Sequence, residues 1–195
     1  MGDDAPRLVL ASSSPRRQAL LRAEGFEFSV AEPDVDESIP EGEPPERTAA
    51  RLASSKARAV AERVDPDSCV LAADTIVVID DSVLGKPRHA EEAALMLLRL
   101  AGRTHRVITG YSALLAGSTE ESGIEVSRVR MRPVSPAEAR AYAATDEPLD
   151  KAGGYAVQGE GGRFVEHIDG SRSNVIGLPL EAVVPALERL GVEPR

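Results

Sequence analysis

The sequence is poor in aromatic and sulfur-containing side chains, and it has no long hydrophobic run. Only 3% of its 195 residues are aromatic, tryptophan is absent, and there is one cysteine, Cys69. A single cysteine cannot form an internal disulfide, which fits a reducing cytoplasm. Few aromatic rings leave little surface on which nucleic-acid bases could stack. Since no apolar run reaches the roughly 18 residues of a membrane helix, we expect a cytoplasmic protein that binds neither membrane nor nucleic acid.

Acidic residues outnumber basic ones, 32 to 23, and histidine is scarce. The formal net charge is −9, which disfavours binding to duplex nucleic acid, and the acidic start of the chain is unlike a signal peptide. The three histidines lack the spacing of zinc ligands. Any metal should therefore be a hard cation held by carboxylates and substrate phosphates. The composition is otherwise that of a globular protein, and without repeats or a linker we predict a single domain over residues 1–195.

A short apolar run near the N-terminus is followed by serines, a proline and two arginines. Ser14 is a suitable N-cap and Pro15 suits the first position of a helix, so the pattern predicts strand, tight turn and helix. A helix N-terminus favours phosphate, and arginine binds phosphate oxygens in a two-pronged fashion. A capped surface helix with solvated arginines is the alternative. The candidate phosphate ligands are Ser12, Ser14, Arg16 and Arg17.

Two charged residues occupy positions that predict burial. Lys56 lies four residues after Leu52 and four before Val60, on the apolar stripe of a predicted helix. Its ammonium either extends to water or binds an anion such as phosphate. Asp74 interrupts the most apolar strand pattern of the chain. An unpaired carboxylate there would cost several kcal/mol, so it forms a structural salt bridge, binds a metal or activates water.

Three further side chains are candidates on weaker patterns. Lys86 stands between a glycine and a proline, which fix a loop around its charge. Gln158 lies in a glycine-dense segment, where close approach of a ligand is possible and an amide can bind a base edge; a surface loop is the alternative. Glu37 belongs to an acidic, proline-rich loop that is either solvated or helps to hold a cation.

Thr75 follows Asp74 on the predicted strand, so its side chain should leave the strand on the side opposite Asp74.

Periodicity and capping residues predict the remaining elements. Helices are expected over residues 15–24, 45–63, 90–100, 136–145 and 180–190, and strands over 8–11, 26–31, 70–80, 107–116, 123–132 and 164–168, with a hairpin turn at 80–82 and loops at 32–45, 152–162 and 170–179.

Six of these segments, in this order, resemble the Maf family of nucleoside triphosphate pyrophosphatases. They are Leu-Ala-Ser-Ser-Ser-Pro-Arg-Arg at 10–17, Ala-Ser-Ser-Lys-Ala at 53–57, Ala-Ala-Asp-Thr at 72–75, Leu-Gly-Lys-Pro at 84–87, Gly-Tyr-Ala-Val-Gln-Gly at 154–159 and Asn-Val-Ile-Gly-Leu-Pro at 174–179. The resemblance implies a two-lobed α/β fold like that of inosine triphosphate pyrophosphatases, with an elongated mixed central sheet and a substrate cleft between the lobes. It also implies a homodimer.

The resemblance assigns roles to the candidates. Asp74 matches the proton acceptor, and Lys56 and Lys86 match lysines of the cleft. Glu37 and Asp74 would hold a divalent cation, Mg²⁺ or Mn²⁺. Arg172 departs from the family, because an aromatic residue is expected in that turn. The phosphate-binding turn matches Ser12, Ser14, Arg16 and Arg17, and the features of the dTTP/UTP-hydrolysing subgroup are Arg16, Thr75 and Gln158.

The expected reaction is hydrolysis of a nucleoside triphosphate to the monophosphate and pyrophosphate. Two alternatives remain open. A nucleotidyltransferase would need an acceptor, so release of free monophosphate without one excludes it. A regulatory nucleotide-binding protein linked to septum formation would bind without significant turnover.

Overall fold

The computed structural model describes residues 6–115, 119–145 and 147–194. The acidic first four residues, residue 116 at the end of the strand expected over 107–116, and residues 117 and 118 of the predicted strand connection lie outside the described residues. Within these ranges there are seven strands and six α-helices. The elements are β1 (Arg7–Leu10), α1 (Pro15–Ala23), β2 (Ser29–Val30), α2 (Pro45–Ala61), β3 (Ser68–Ile79), β4 (Ser82–Leu84), α3 (Ala90–Leu100), β5 (Thr104–Leu115), β6 (Glu120–Met131), α4 (Pro136–Ala143), β7 (Val165–Asp169), α5 (Arg172–Ile176) and α6 (Leu180–Arg189), with short 3₁₀ helices at Ala152–Gly154 and Glu160–Phe164.

The strands form one mixed sheet, as the resemblance implied. Its order is β2-β1-β3-β5-β6-β7, and β4 pairs with β3 off this path. β1 is parallel to both β2 and β3, whereas β4 is antiparallel to β3 and β7 is antiparallel to β6. Asp80 and Asp81 both have positive φ, 49° and 59°, which is the backbone of the tight hairpin turn predicted between β3 and β4.

The chain divides into two compact units. The first comprises the chain up to Asp74, Thr109–Glu125 and the chain from Gly177 onward, and the second comprises Thr75–Ile108 and Val126–Ile176. Strands β3, β5 and β6 contribute residues to both. The sequence-based expectation of one domain stays a prediction.

The first unit is built on two faces of the β1–β3 pair. On one face Val9, Val70 and Ala72 pack against Ala57 and Val60 of α2. The opposite face packs on α1 and α6, through Leu8, Leu10, Cys69, Leu71 and Ala73 against Leu21, Val183 and Leu187. This alternation explains why the run from Cys69 is apolar at every position: both faces are covered.

The second unit has its own core. Leu97 and Leu100 of α3 pack with Val77 of β3, Tyr142 of α4 and Phe164. Helix α4 begins with a capping box, in which the Ser135 hydroxyl accepts from the Glu138 amide and the Glu138 carboxylate accepts from the Ser135 amide. The predicted serine–proline helix start is thereby confirmed.

Several segments differ from the predictions. Strands β5 and β6 begin at Thr104 and Glu120, three residues before their expected starts, so residues 120–122 of the expected connection belong to β6. The strand expected over residues 26–31 is reduced to Ser29–Val30. The turn expected over 170–179 contains the one-turn helix α5, and the glycine-dense loop contains two 3₁₀ helices. Helix α5 and the two 3₁₀ helices are short turns of helix, too short to give a periodic pattern in the sequence. None of the helices in the described ranges has the length and apolarity that crossing a membrane requires.

Candidate active site

The serine–arginine turn after β1 forms a capped helix start in the first unit, as predicted. The Ser14 hydroxyl caps α1 by accepting from the Arg17 amide at 3.5 Å, and Pro15 is the first helical residue. The buried Ser12 hydroxyl accepts from the Ser14 amide at 3.2 Å. Both hydroxyls therefore stabilise the turn at the helix N-terminus, where an anion is favoured.

The guanidinium of Arg17 joins this turn to the segment before α6. Its Nε donates to the carbonyl of Gly177 at 2.8 Å, and its Nη1 donates to the Ser12 hydroxyl at 3.3 Å. Burial lowers the pKa of Arg17, while the carboxylates of Asp74 and Glu37 act in the opposite direction. The carboxylates thus lie close enough to Arg17 to act on its charge. Arg16, next in the chain, is half-buried.

Lys56 and Asp74, predicted independently as buried charges, form an ion pair. The Lys56 Nζ lies 2.6 Å from Asp74 Oδ1 and 2.5 Å from Glu37 Oε1. The side chains of Lys56 and Asp74 are 8% and 14% exposed, whereas that of Glu37 is 55% exposed. The Lys56 ammonium therefore does not extend into water but binds two carboxylates.

The fold explains this meeting. Asp74 lies two residues after Ala72 and four after Val70 on β3, and the side chains of both pack against α2. Because alternate residues of a strand share a face, Asp74 lies on the face that is covered by this helix. Lys56 precedes Ala57 on the buried stripe of that helix. The parallel pairing of Leu10 with Leu71 places the end of β1 three residues from Asp74. The serine–arginine turn and the ion pair consequently share one edge of the first unit.

The donor chemistry around Lys56 suits a hard cation. Glu37 and Asp74 offer carboxylate oxygens that already converge on one positive charge, and Mg²⁺ is commonly held by one or two carboxylates together with substrate phosphates. Across the described ranges no cluster of three or more histidine, cysteine, aspartate or glutamate residues could hold a metal by itself. The residues present therefore fit a cation shared with a phosphate ligand rather than a metal held wholly by protein.

The other predicted site residues belong to the second unit. Thr75 follows Asp74 in an uninterrupted β3, so the two side chains leave the strand on opposite sides. Lys86 is exposed two residues after the end of β4. Gln158 is exposed between the two 3₁₀ helices. In α5, Arg172 donates from Nη2 to the carbonyl of Val157 at 3.5 Å, which connects this helix to the residue before Gln158.

Sequence reasoning missed the residues that support the Gln158 loop. Glu147 and Tyr142 contact its backbone, and His105 bonds to Tyr155 at its beginning. No spacing of residues in the sequence predicts these contacts. The available signal was the density of glycines, since Gly159 and Gly161 leave room for side chains to approach the backbone.

Comparisons with known proteins find relatives that match nearly the whole chain. Residues 7–190 match the family described as Maf-like protein. A protein of Myxococcus xanthus named dTTP/UTP pyrophosphatase is 50% identical over 98% of this chain and 96% of its own length. A Symbiobacterium thermophilum protein of the same name is 48% identical over 95% and 94% of the two chains.

Among solved structures, the Staphylococcus aureus Ham1 protein aligns with a TM-score of 0.46 at 16% identity, covering 64% of this chain and 71% of that one.

The family match covers nearly the whole chain and includes the serine–arginine turn, the Lys56–Asp74 pair and the Gln158 loop. The chain belongs to the Maf family.

Proposed function

We propose that this protein hydrolyses dTTP and UTP to the nucleoside monophosphate and pyrophosphate. The observation that carries the proposal is the pairing of a strand carboxylate, Asp74, with the buried ammonium of Lys56 beside a serine–arginine turn suited to phosphate. Relatives that are 50% and 48% identical and are named dTTP/UTP pyrophosphatase support the substrate.

In the proposed reaction, water attacks the α-phosphorus and the bond from that phosphorus to the bridging oxygen breaks. Asp74 orients the water and accepts its proton, and pyrophosphate leaves with the electron pair of the broken bond. Lys56 neutralises the negative charge that develops on the phosphoryl oxygens. Glu37 and Asp74 would hold a divalent cation, Mg²⁺ or Mn²⁺, which when bound neutralises charge on the phosphate oxygens.

Lys86 is the second catalytic lysine of this proposal and acts with Lys56 on the charge of the phosphoryl oxygens. The remaining candidates bind the substrate. Thr75 and Gln158 act in recognition of the nucleoside, with the Gln158 amide on the edge of the base. The phosphate chain is bound by Ser12, Ser14, Arg16 and Arg17. We also propose that the protein is a homodimer, which light scattering of the purified protein tests.

The experiment is product analysis across a panel of canonical and modified triphosphates, with Mg²⁺ or Mn²⁺ and without any acceptor. Pyrophosphate with free monophosphate supports the proposal, and orthophosphate or absence of turnover contradicts it. Gln158→Ala should change the ranking of bases. Gln18→Ala is its control, because it removes the same amide from α1, where Gln18 Oε1 accepts from Arg22 Nη2 at 3.2 Å. An unchanged ranking in Gln158→Ala would show that this amide does not recognise the base.

A further inference from the structure

The loop that carries Gln158 is bound from one side by a tyrosine and a glutamate. The Tyr142 hydroxyl donates to Glu147 Oε1 at 2.8 Å and accepts from the Ala156 amide at 3.2 Å. The two Glu147 oxygens accept from the Glu160 amide at 2.9 Å and the Gly161 amide at 3.0 Å. One carboxylate and one hydroxyl thus hold backbone amides on both sides of Gln158.

The loop backbone approaches these two side chains closely at two glycines. A Cβ on Gly159 would lie 2.2 Å from Glu147 Oε2, and a Cβ on Gly161 would lie 2.6 Å from the Tyr142 hydroxyl. The Tyr142 ring is fully buried and packs edge-to-face on Phe164 at 5.3 Å between centroids. A larger residue at Gly159 or Gly161 would therefore force Glu147 or Tyr142 to shift, and Tyr142 itself packs in the core of the second unit.

The carboxylate form of Glu147 is the form that the loop binds. Burial raises the pKa of Glu147, but the amides of Gly161 and Glu160 and the Tyr142 hydroxyl outweigh burial and lower it. The carboxylate of Glu147 accepts three hydrogen bonds. Because the acceptor is charged, these bonds are stronger than those between neutral groups. An amide in place of the carboxylate would have to direct an N–H group at one of these donors.

A second contact fixes the start of the loop. His105 Nε2 lies 2.8 Å from the Tyr155 hydroxyl, and the two rings meet edge-to-face at 5.5 Å. Both residues are buried. The loop is thus held at Tyr155, Ala156, Glu160 and Gly161, while Gln158 between these points stays exposed.

We propose that Glu147, acting with Tyr142, is a positioning residue for base recognition, because it fixes the backbone on both sides of Gln158 and so orients that amide. This inference rests on the proposed function, in which Gln158 recognises the base. Substrate binding to a loop already ordered avoids the entropic cost of ordering it during binding.

The test compares Glu147→Gln and Tyr142→Phe with Gln158→Ala. Phenylalanine keeps the packing of Tyr142 on Phe164 and removes only the hydroxyl. Glu91→Gln is the matched control, since Glu91 is exposed on α3 of the same unit and the change of charge is identical. Kinetics are measured on the preferred and the disfavoured triphosphates, and hydrogen exchange is measured on the amides of residues 156–161.

We expect Glu147→Gln to raise the KM for the preferred substrate and to reduce base discrimination by about tenfold, the factor that corresponds to one hydrogen bond. The kcat at saturation should change less than KM, and loop amides should exchange about tenfold faster. Tyr142→Phe should act in the same direction, and Glu91→Gln should change neither quantity. A merely destabilising change would lower the amount of active enzyme for all bases equally and leave their ranking unchanged.

The outcomes separate this inference from the proposed function. If Gln158→Ala alters the ranking while Glu147→Gln and Tyr142→Phe leave both ranking and exchange unchanged, the positioning role is wrong and the proposed function stands. If Gln158→Ala leaves the ranking unchanged, the role proposed for Gln158 is wrong, and the inference that acts through it is overturned too.

Discussion

Replacing Lys56 with methionine should destabilise the protein far more than removing an exposed charge from the same helix. Methionine retains the apolar stem but leaves the Asp74 carboxylate, 14% exposed, without the ammonium now 2.6 Å away. Breaking a buried ion pair from one side costs about 3–5 kcal/mol. Since Asp74 keeps some contact with water and Glu37 is 55% exposed, we expect a loss of about 3 kcal/mol in the free energy of unfolding.

A double-mutant cycle isolates this interaction. Asp74→Asn alone should cost about 2 kcal/mol, because the Lys56 ammonium then keeps only Glu37, and the double variant should lose about 2 kcal/mol less than the sum of the two. The assay is urea unfolding followed by circular dichroism, since the chain has no tryptophan. Arg58→Met is the control, because the Arg58–Glu120 pair has an arginine that is 65% exposed; it should cost less than about 1 kcal/mol. Equal losses for Lys56→Met and Arg58→Met would refute the reasoning.

Two further predictions concern stability. Gly110→Ala should lower the free energy of unfolding by about 3 kcal/mol or more, because its Cβ would lie 2.3 Å from the carbonyl oxygen of Ala49 in α2. Gly85→Ala is the control in urea unfolding, since its Cβ meets nothing within 4 Å. A similar loss of stability in both variants would contradict the close approach of Gly110 to α2. Burial lowers the pKa of His105 to about 4, so the unfolded state binds the extra proton between about pH 6.5 and 4. Stability should therefore fall by about 3 kcal/mol as the pH falls through that window, and His105→Gln should lose this part of the pH dependence; identical pH profiles for the two proteins would contradict it.

The sequence predicted most of the long elements because their patterns are local. The helix over residues 90–100 is found at Ala90–Leu100, and Ser14 and Ser135 cap the helices predicted to follow them. Lys56 and Asp74 were identified as buried charges because each interrupts an apolar pattern. Their pairing with each other required tertiary structure, since 18 residues separate them in the chain.

The parts that the sequence did not predict depend on contacts distant in the chain or on single turns. The support of the Gln158 loop by Tyr142 and Glu147 joins residues up to 14 positions apart. The contact of Arg17 with Gly177 spans 160 positions. Helix α5, with five residues, is too short for periodicity to distinguish it from a polar turn. Local propensity cannot specify such features, because tertiary packing decides them.

The most direct test of the proposed chemistry is turnover of dTTP by Asp74→Asn, with folding checked by circular dichroism and affinity measured with a non-hydrolysable analogue. Removing a general base lowers turnover by about 10²–10⁴-fold. We therefore expect pyrophosphate release to fall by at least about 100-fold while the Kd of the analogue stays within about threefold, less than the effect of one hydrogen bond. Near-normal turnover with unchanged affinity in this variant would contradict the role of Asp74 as proton acceptor.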